Sequence, residues 1–154
     1  MTAAAQAKPV VTKSRALWRG AHIFEAGPEG RTAPIDGDAK SAPGPVETLL
    51  NAVATCSAVD VVDILTKRRT PPSHLEILVT ATRRSIAPRR VQELEFEYRI
   101  DGTGIEVEQA ERAIELAFDK YCSVAASLAP DIIAQSRLVL NGEPHEPRKR
   151  IVGG

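Results

Sequence analysis

The longest pattern in the chain runs from Val46 to Arg69, a stretch without proline or glycine in which Val46, Leu49, Leu50, Val53, Cys56, Val59, Val62 and Ile64 recur at short helical intervals. That spacing predicts one long helix. Alanines fill much of the remainder, so the helix is apolar around most of its circumference and is expected to be central and buried. Pro45 suits its first turn, Lys67, Arg68 and Arg69 complement the dipole in its last, and Pro71 and Pro72 stop it.

On either side the period changes to two. Before the helix, short β-type segments (Ala16 to Trp18, His22 to Phe24, Thr32 to Ile35) are separated by Gly20 and by Gly27 to Gly30, which predicts an antiparallel meander. After it, LEILVTATRRS and VQELEFEYRID alternate, with Leu75, Ile77 and Val79, then Leu94, Phe96, Tyr98 and Ile100, on one face of a hairpin. Helical spacing returns from Glu106 to Tyr121 and again from Ser123 to Ala129, ended by Pro130, and Ile132 to Leu140 reads as a strand. The order βββ-α-ββ-α-α-β is an α+β pattern without internal repeats. Residues 1–12 and the tail EPHEPRKRIVGG show no period, so a core of about 14–141 with two fraying ends is expected. The basic run Arg148, Lys149, Arg150 is read as part of a solvated tail.

Length and charge narrow the picture. With 154 residues the chain fits a single domain over residues 1–154. Lysine and arginine number 20, as do aspartate and glutamate, so the net charge is zero and no nucleic acid or anionic membrane is called for. The start lacks the apolar stretch of a signal peptide, and no uninterrupted apolar run reaches bilayer length, so a cytoplasmic location is expected. Aromatics are scarce, which disfavours stacking on bases or sugars.

The candidate chemistry lies in the two cysteines, too few for a disulfide framework. Cys56, on the apolar stripe, is either a small core hydrophobe or a thiol held rigidly by the helix. Cys122 falls where two helical pieces meet, in the polar interruption Asp119 to Ser123. His22, His74 and His145 have unrelated contexts and give no zinc spacing. Gly102 and Gly104 belong to a strand-to-helix turn rather than a phosphate loop, so no metal or bound cofactor is expected.

The stretch PGPVETLLNAVATCSAVDVVDIL, Pro43 to Leu65, resembles the first cysteine motif of the OsmC/Ohr family, in which proline and glutamate open a central helix that carries the cysteine. ERAIELAFDKYCSVAASL, Glu111 to Leu128, resembles the second cysteine motif, and Cys-Ser-Ala-x-Asp with Lys-Tyr-Cys-Ser-Val is similar to the OsmC-like branch. The resemblance implies an intertwined homodimer with its active sites at the subunit interface. It also implies a peroxidase in which Cys56 reduces an organic hydroperoxide and Cys122 resolves the sulfenic acid, with an external dithiol or thiol as reductant.

In the peroxidatic members an arginine in the N-terminal strands and a glutamate at the helix start bind the peroxide and activate the thiol. Here the corresponding turn reads Ala26, Gly27, Pro28, Glu29, Gly30, with Arg31 just after it and Arg19 before it. Glu47 resembles the glutamate, one residue nearer the cysteine than in the hydroperoxide resistance branch, where Val46 would be the counterpart. The resemblance thus puts forward Cys56, Cys122, Glu47 and Arg31 as catalytic residues. Asp60 and Tyr121 are candidates for lining the crevice. The rival reading of the same crevice is a dimeric binding module for a small thiol or acyl ligand.

Overall fold

The computed structural model describes residues 7–152; residues 1–6 and 153–154, on which part of the expected fraying falls, lie outside the described residues. The chain divides into two compact units, one ending at Thr48 and one beginning at Leu49.

In the first unit, residues 7–14 are exposed and without regular structure. Three strands follow, β1 (Arg15–Gly20), β2 (Ile23–Gly27) and β3 (Ala33–Asp36), paired antiparallel in chain order as the predicted meander. Asp36 gathers the loop beyond β3. Its carboxylate accepts hydrogen bonds from the Asp38, Lys40 and Ser41 amides and the Ser41 hydroxyl at 2.8 to 3.1 Å. Those donors, the Ser41 amide foremost, hold the Asp36 carboxyl well below the usual carboxylate range. The loop so fixed leads into α1 (Pro45–Lys67), which starts at the proline and ends within two residues of the predicted limit, with Arg69 left-handed at φ 64°.

The second unit is built on a sheet. β4 (His74–Arg83) and β5 (Val91–Asp101) form the predicted hairpin, and β6 (Ile132–Leu140) lies parallel to β5. The parallel pairing requires a crossover, supplied by α2 (Val107–Leu116), a π-helical turn (Ala117–Tyr121) and the short α3 (Ser123–Ala126). One face of the sheet, with Leu94, Phe96, Tyr98 and Ile100 of β5 and Ala134, Ser136 and Leu138 of β6, is buried. The other carries Glu93, Glu95, Arg99 and Arg137, which are exposed. The alternation read from the sequence is the alternation observed.

Two expectations are corrected. The first concerns α1: its buried residues are Val53, Ser57, Val61 and Leu65, a row at intervals of four, while Leu49, Val59 and Val62 remain 40%, 60% and 36% exposed. A single chain covers one stripe of this helix. Its hydropathy, 1.5 over an 18-residue window, makes it long and apolar enough by composition to cross a membrane, although Asn, Thr, Ser and Asp interrupt its apolar run. Yet Ser57 is fully buried and bonded to the Tyr98 hydroxyl at 2.8 Å, so here the helix packs on a sheet.

The second correction concerns the C-terminal tail. Residues Glu143–Pro144 (β7) and Arg148–Val152 (β8) both pair with β6. The physical reason is that β6, bonded to β5 on one side, offers a row of unpaired amides and carbonyls on the other. Asn141 and Gly142, with φ of 50° and 82°, make the two-residue turn that returns the chain to that edge. Arg148 then bonds the carboxylates of Glu111 and Glu115, fastening β8 to α2.

A protease reads this difference directly. Trypsin is expected to cut first after Lys13, in exposed irregular chain, and much more slowly at Arg148, Lys149 and Arg150, which are held in a strand. Timed digestion followed by mass spectrometry checks this; equal early cleavage at both ends would contradict the pairing of β8 with β6.

Candidate functional site

Cys56 is half-buried three turns into α1, one residue before the buried Ser57. It therefore sits at the margin of the packed stripe, where a side chain has one neighbour in the core and one side open. Cys122 is 2% exposed and follows the π-helical turn. The turn has a visible hydrogen-bond signature: the Cys122 amide donates to the Ala117 carbonyl five residues back, at 2.7 Å. It widens the helix by a residue and ends it. Cys122 then adopts φ −71° and ψ 97° and caps α3, its Sγ accepting from the Ala125 amide at 3.3 Å.

These two local structures bring the sulfurs together. The Cys56 and Cys122 thiols are neighbours, near enough for the Cys56 sulfur to act on the Cys122 thiol, and both are free. Burial, above all, pushes the Cys122 thiol up to about 11; the Ala125 amide opposes the shift, and the adjacent Cys56 sulfur adds to it.

A polar cluster surrounds the pair. The Ser57 hydroxyl donates to the Ala54 carbonyl at 3.0 Å, so in the 2.8 Å contact between Ser57 and Tyr98 the tyrosine is the donor. Burial raises the Tyr98 hydroxyl above the ordinary phenol range, and the charges of Arg150, Cys122 and Asp60 all act on it. Asp60 follows Cys56 by one helical turn; its Oδ2 is buried without a hydrogen-bond partner among the described residues. Burial and then the neighbouring Asp63 raise its carboxyl. Tyr121, the other candidate for the crevice, is 48% exposed, with the Lys120 ammonium 5.4 Å from its ring centre.

The remaining candidates lie in the first unit. Glu47 is exposed, and its carboxylate accepts the Gly44 amide at 2.8 Å, completing the N-terminal turn of α1 as a reciprocal cap does. Arg31 is exposed beside β3, its amide bonded to the Pro28 carbonyl at 3.0 Å. Arg19 is paired with Glu25 at 2.5 Å. His22 bonds Asp38 at 2.8 Å, and that carboxylate raises the imidazole. Among the described residues no group of three His, Cys, Asp or Glu side chains stands ready to hold a metal.

Sequence reasoning passed over Ser57, Tyr98 and Arg150. The row of four-residue steps from Val53 through Ser57 to Leu65 was available as a signal for Ser57; nothing in the linear pattern places Arg150.

The motifs that flank both cysteines find their counterpart in known proteins. Residues 37–135, more than half of the chain, match the family described as OsmC-like protein. The chain belongs to the OsmC-like family. It is 34% identical over 118 residues to Protein YhfA of Escherichia coli, a match that covers 75% of this chain and 88% of YhfA. Its fold is similar to that of an OsmC-like protein from Mycoplasma pneumoniae, with a TM-score of 0.75, 13% identity and coverage of 86% and 99% of the two chains. It is also similar to that of an organic hydroperoxide resistance protein, OsmC, from Legionella pneumophila, with a TM-score of 0.61, 12% identity and coverage of 85% and 98%. The α+β fold expected for the family is the one observed.

The elevated Cys122 thiol has a measurable consequence. In the Cys56→Ser variant, where burial still acts but the neighbouring sulfur does not, alkylation of Cys122 by iodoacetamide is expected to rise with pH to a midpoint above that of an ordinary thiol. Because the folded form holds its proton more tightly than the unfolded one, the corresponding stability is complete below the unfolded value and is lost as pH climbs through the folded one. Peptide mapping across pH checks the first statement, and a midpoint at or below that of a free thiol would refute it.

Proposed function

We propose that this protein is a thiol-dependent peroxidase that reduces organic hydroperoxides to alcohols. The observation that carries the reading is the nearness of Cys56 and Cys122, which come from different elements and become neighbours inside one chain.

The chemistry balances with these two sulfurs alone. The Cys56 thiolate attacks the distal peroxide oxygen, the O–O bond breaks, and the alkoxide takes up a proton to leave as alcohol. Cys56 is now a sulfenic acid. The Cys122 thiol attacks its sulfur, water leaves, and a disulfide remains, so one peroxide has consumed two thiols. An external dithiol or small thiol then reduces the disulfide by exchange. The two electrons pass through sulfur throughout, and no bound cofactor is needed.

The half-buried Cys56 suits the attacking role because a peroxide can reach it, and Cys122, buried and next to it, suits the resolving one. The uncovered Val59 and Val62 of α1 favour a second copy of the chain as partner in a homodimer. A cytoplasmic setting accords with free thiols.

A second reading is favoured by one observation. With the Cys122 thiol at about 11, this sulfur is protonated at neutral pH, as befits a binding crevice for a small thiol or acyl ligand with little turnover. Cumene hydroperoxide separates the two. The peroxidase reading expects loss of two thiols per peroxide and a Cys56 to Cys122 disulfide; Cys122→Ser should leave a dimedone-reactive sulfenic acid at Cys56, and Cys56→Ser should lower turnover at least a hundredfold. Inert thiols in the reduced wild type would overturn the peroxidase and leave the binding module.

A further inference from the structure

The turn between β4 and β5 gathers positive charge that the neutral total conceals. The chain carries 20 cationic and 20 acidic residues, yet between Glu76 and Glu93 it has no acidic residue and four arginines, Arg83, Arg84, Arg89 and Arg90. All four fall at the neck of the hairpin, two on each limb, and Ser85, Ile86, Ala87 and Pro88 form its tip.

Hydrogen bonds hold this collar in shape. Arg83 donates from Nε to the Arg89 carbonyl at 2.7 Å and Arg84 from Nε to the Pro88 carbonyl at 2.5 Å, so both side chains reach across to the returning limb. The Arg84 amide donates to the Arg90 carbonyl at 3.1 Å and closes the loop. Arg90 grips the Asp131 carboxylate with both Nη atoms, at 2.7 and 2.5 Å, and ties the loop to the residue before β6. That pair is neutral as a unit. Arg83, Arg84 and Arg89 form no ion pair among the described residues, so three guanidinium charges stand together uncompensated, with Arg83 and Arg89 exposed. Such a cluster repels itself, and a nearby anionic surface relieves the repulsion.

The tip itself is apolar. Ile86 is 70% exposed at the end of the hairpin, and Ala87 and Pro88 beside it are exposed too. A cationic collar around an exposed aliphatic side chain matches the boundary of an anionic bilayer, where headgroup phosphates meet the cations and the acyl region takes the aliphatic group. Nucleic acid offers phosphates but nothing for Ile86, and residues 77–92 hold no aromatic ring to stack on a base. The sheet sets the orientation. Its exposed face carries Glu93, opposite Thr82 at the hairpin neck, and Glu95 beyond it; these repel an anionic plane laid flat against the sheet, so the hairpin meets the surface end-on.

We propose that the tip of the β4–β5 hairpin is a docking element for an anionic lipid surface, with Arg83, Arg84 and Arg89 meeting headgroup phosphates and Ile86 entering the acyl boundary. The contact is peripheral and reversible, because three cations and one aliphatic side chain anchor far more weakly than a spanning helix. The inference goes beyond the thiol chemistry and does not depend on it.

Co-sedimentation of the full chain with vesicles tests it, with phosphatidylglycerol and phosphatidylcholine in equal parts set against phosphatidylcholine alone at low ionic strength. Wild type is expected to partition onto the anionic vesicles, to stay in solution with the neutral ones, and to come off as salt is raised. Arg89→Gln, which leaves in place the carbonyl that accepts from Arg83, should weaken partitioning by about fivefold, the worth of one basic residue at such a surface. Adding Arg83→Gln should bring the loss to about twenty-fivefold. Ile86→Ser should weaken it by about fourfold for each methylene withdrawn from the acyl boundary. Arg68→Gln removes the same charge near the opposite end of β4, between Lys67 and Arg69, and should change nothing. No binding to either vesicle, equal binding to both, no loss in Arg89→Gln, or an equal loss in Arg68→Gln overturns the proposal. Full binding by Ile86→Ser, together with arginine-dependent binding to a DNA duplex, also overturns it and assigns the collar to nucleic acid.

Discussion

The hydrogen bond between Tyr98 and Ser57 sets the geometry on which the second unit depends. Ser57 is the only polar residue in the buried row of α1, and Tyr98 is a fully buried side chain on the central strand β5. A hydroxyl in either place without its partner would leave a buried polar atom unsatisfied, at a cost of about 1 to 3 kcal/mol. The bond therefore selects one rotation and one height of the helix against the sheet. Apolar packing of Val53, Val61 and Leu65 supplies attraction but tolerates sliding; the hydroxyl pair does not. Since Cys56 adjoins Ser57, fixing the serine fixes the sulfur.

The other sulfur is placed by a backbone device. An α-helix continued regularly from α2 would carry residue 122 onward with the helix, whereas the five-residue hydrogen bond from Cys122 to Ala117 breaks the ladder and turns the chain into extended geometry at the cysteine. The Ala125 amide, left without an intrahelical acceptor at the start of α3, then bonds the sulfur. Cys122 thereby takes part in both secondary structure and chemistry, and movement of its sulfur toward a disulfide must release that cap.

Much of this was legible in the linear pattern. Period-two alternation from Leu75 to Ile100 gave the hairpin and its buried face, and the run from Val46 gave α1 within two residues of each end. What α1 buries was misjudged, because hydrophobic character marks every position that prefers to leave water, while one chain covers only the row from Val53 to Leu65. The C-terminal strand was missed for a different reason. Its sequence is basic and preceded by two prolines, which locally argues for a solvated tail, and the decision belongs to the open edge of β6, a tertiary fact. Asn141-Gly142 was the one local sign of the return. The two cysteines were identifiable as a pair only through their motifs; no spacing rule brings positions 56 and 122 together.

The contrast between the two thiols bears on how the proposed chemistry would be divided. A resolving thiol has no need of early ionisation: it reacts only after a sulfenic acid has formed beside it, and the departing hydroxide takes its proton away as water. A sulfur held protonated by burial up to that moment is protected from direct oxidation and still supplies the proton the leaving group requires. The attacking thiol has the opposite requirement, access and negative charge. Cys56 has the access, on the side of α1 that the chain leaves partly open. The charge must come from the surroundings, because a mid-helix position gains almost nothing from the helix dipole.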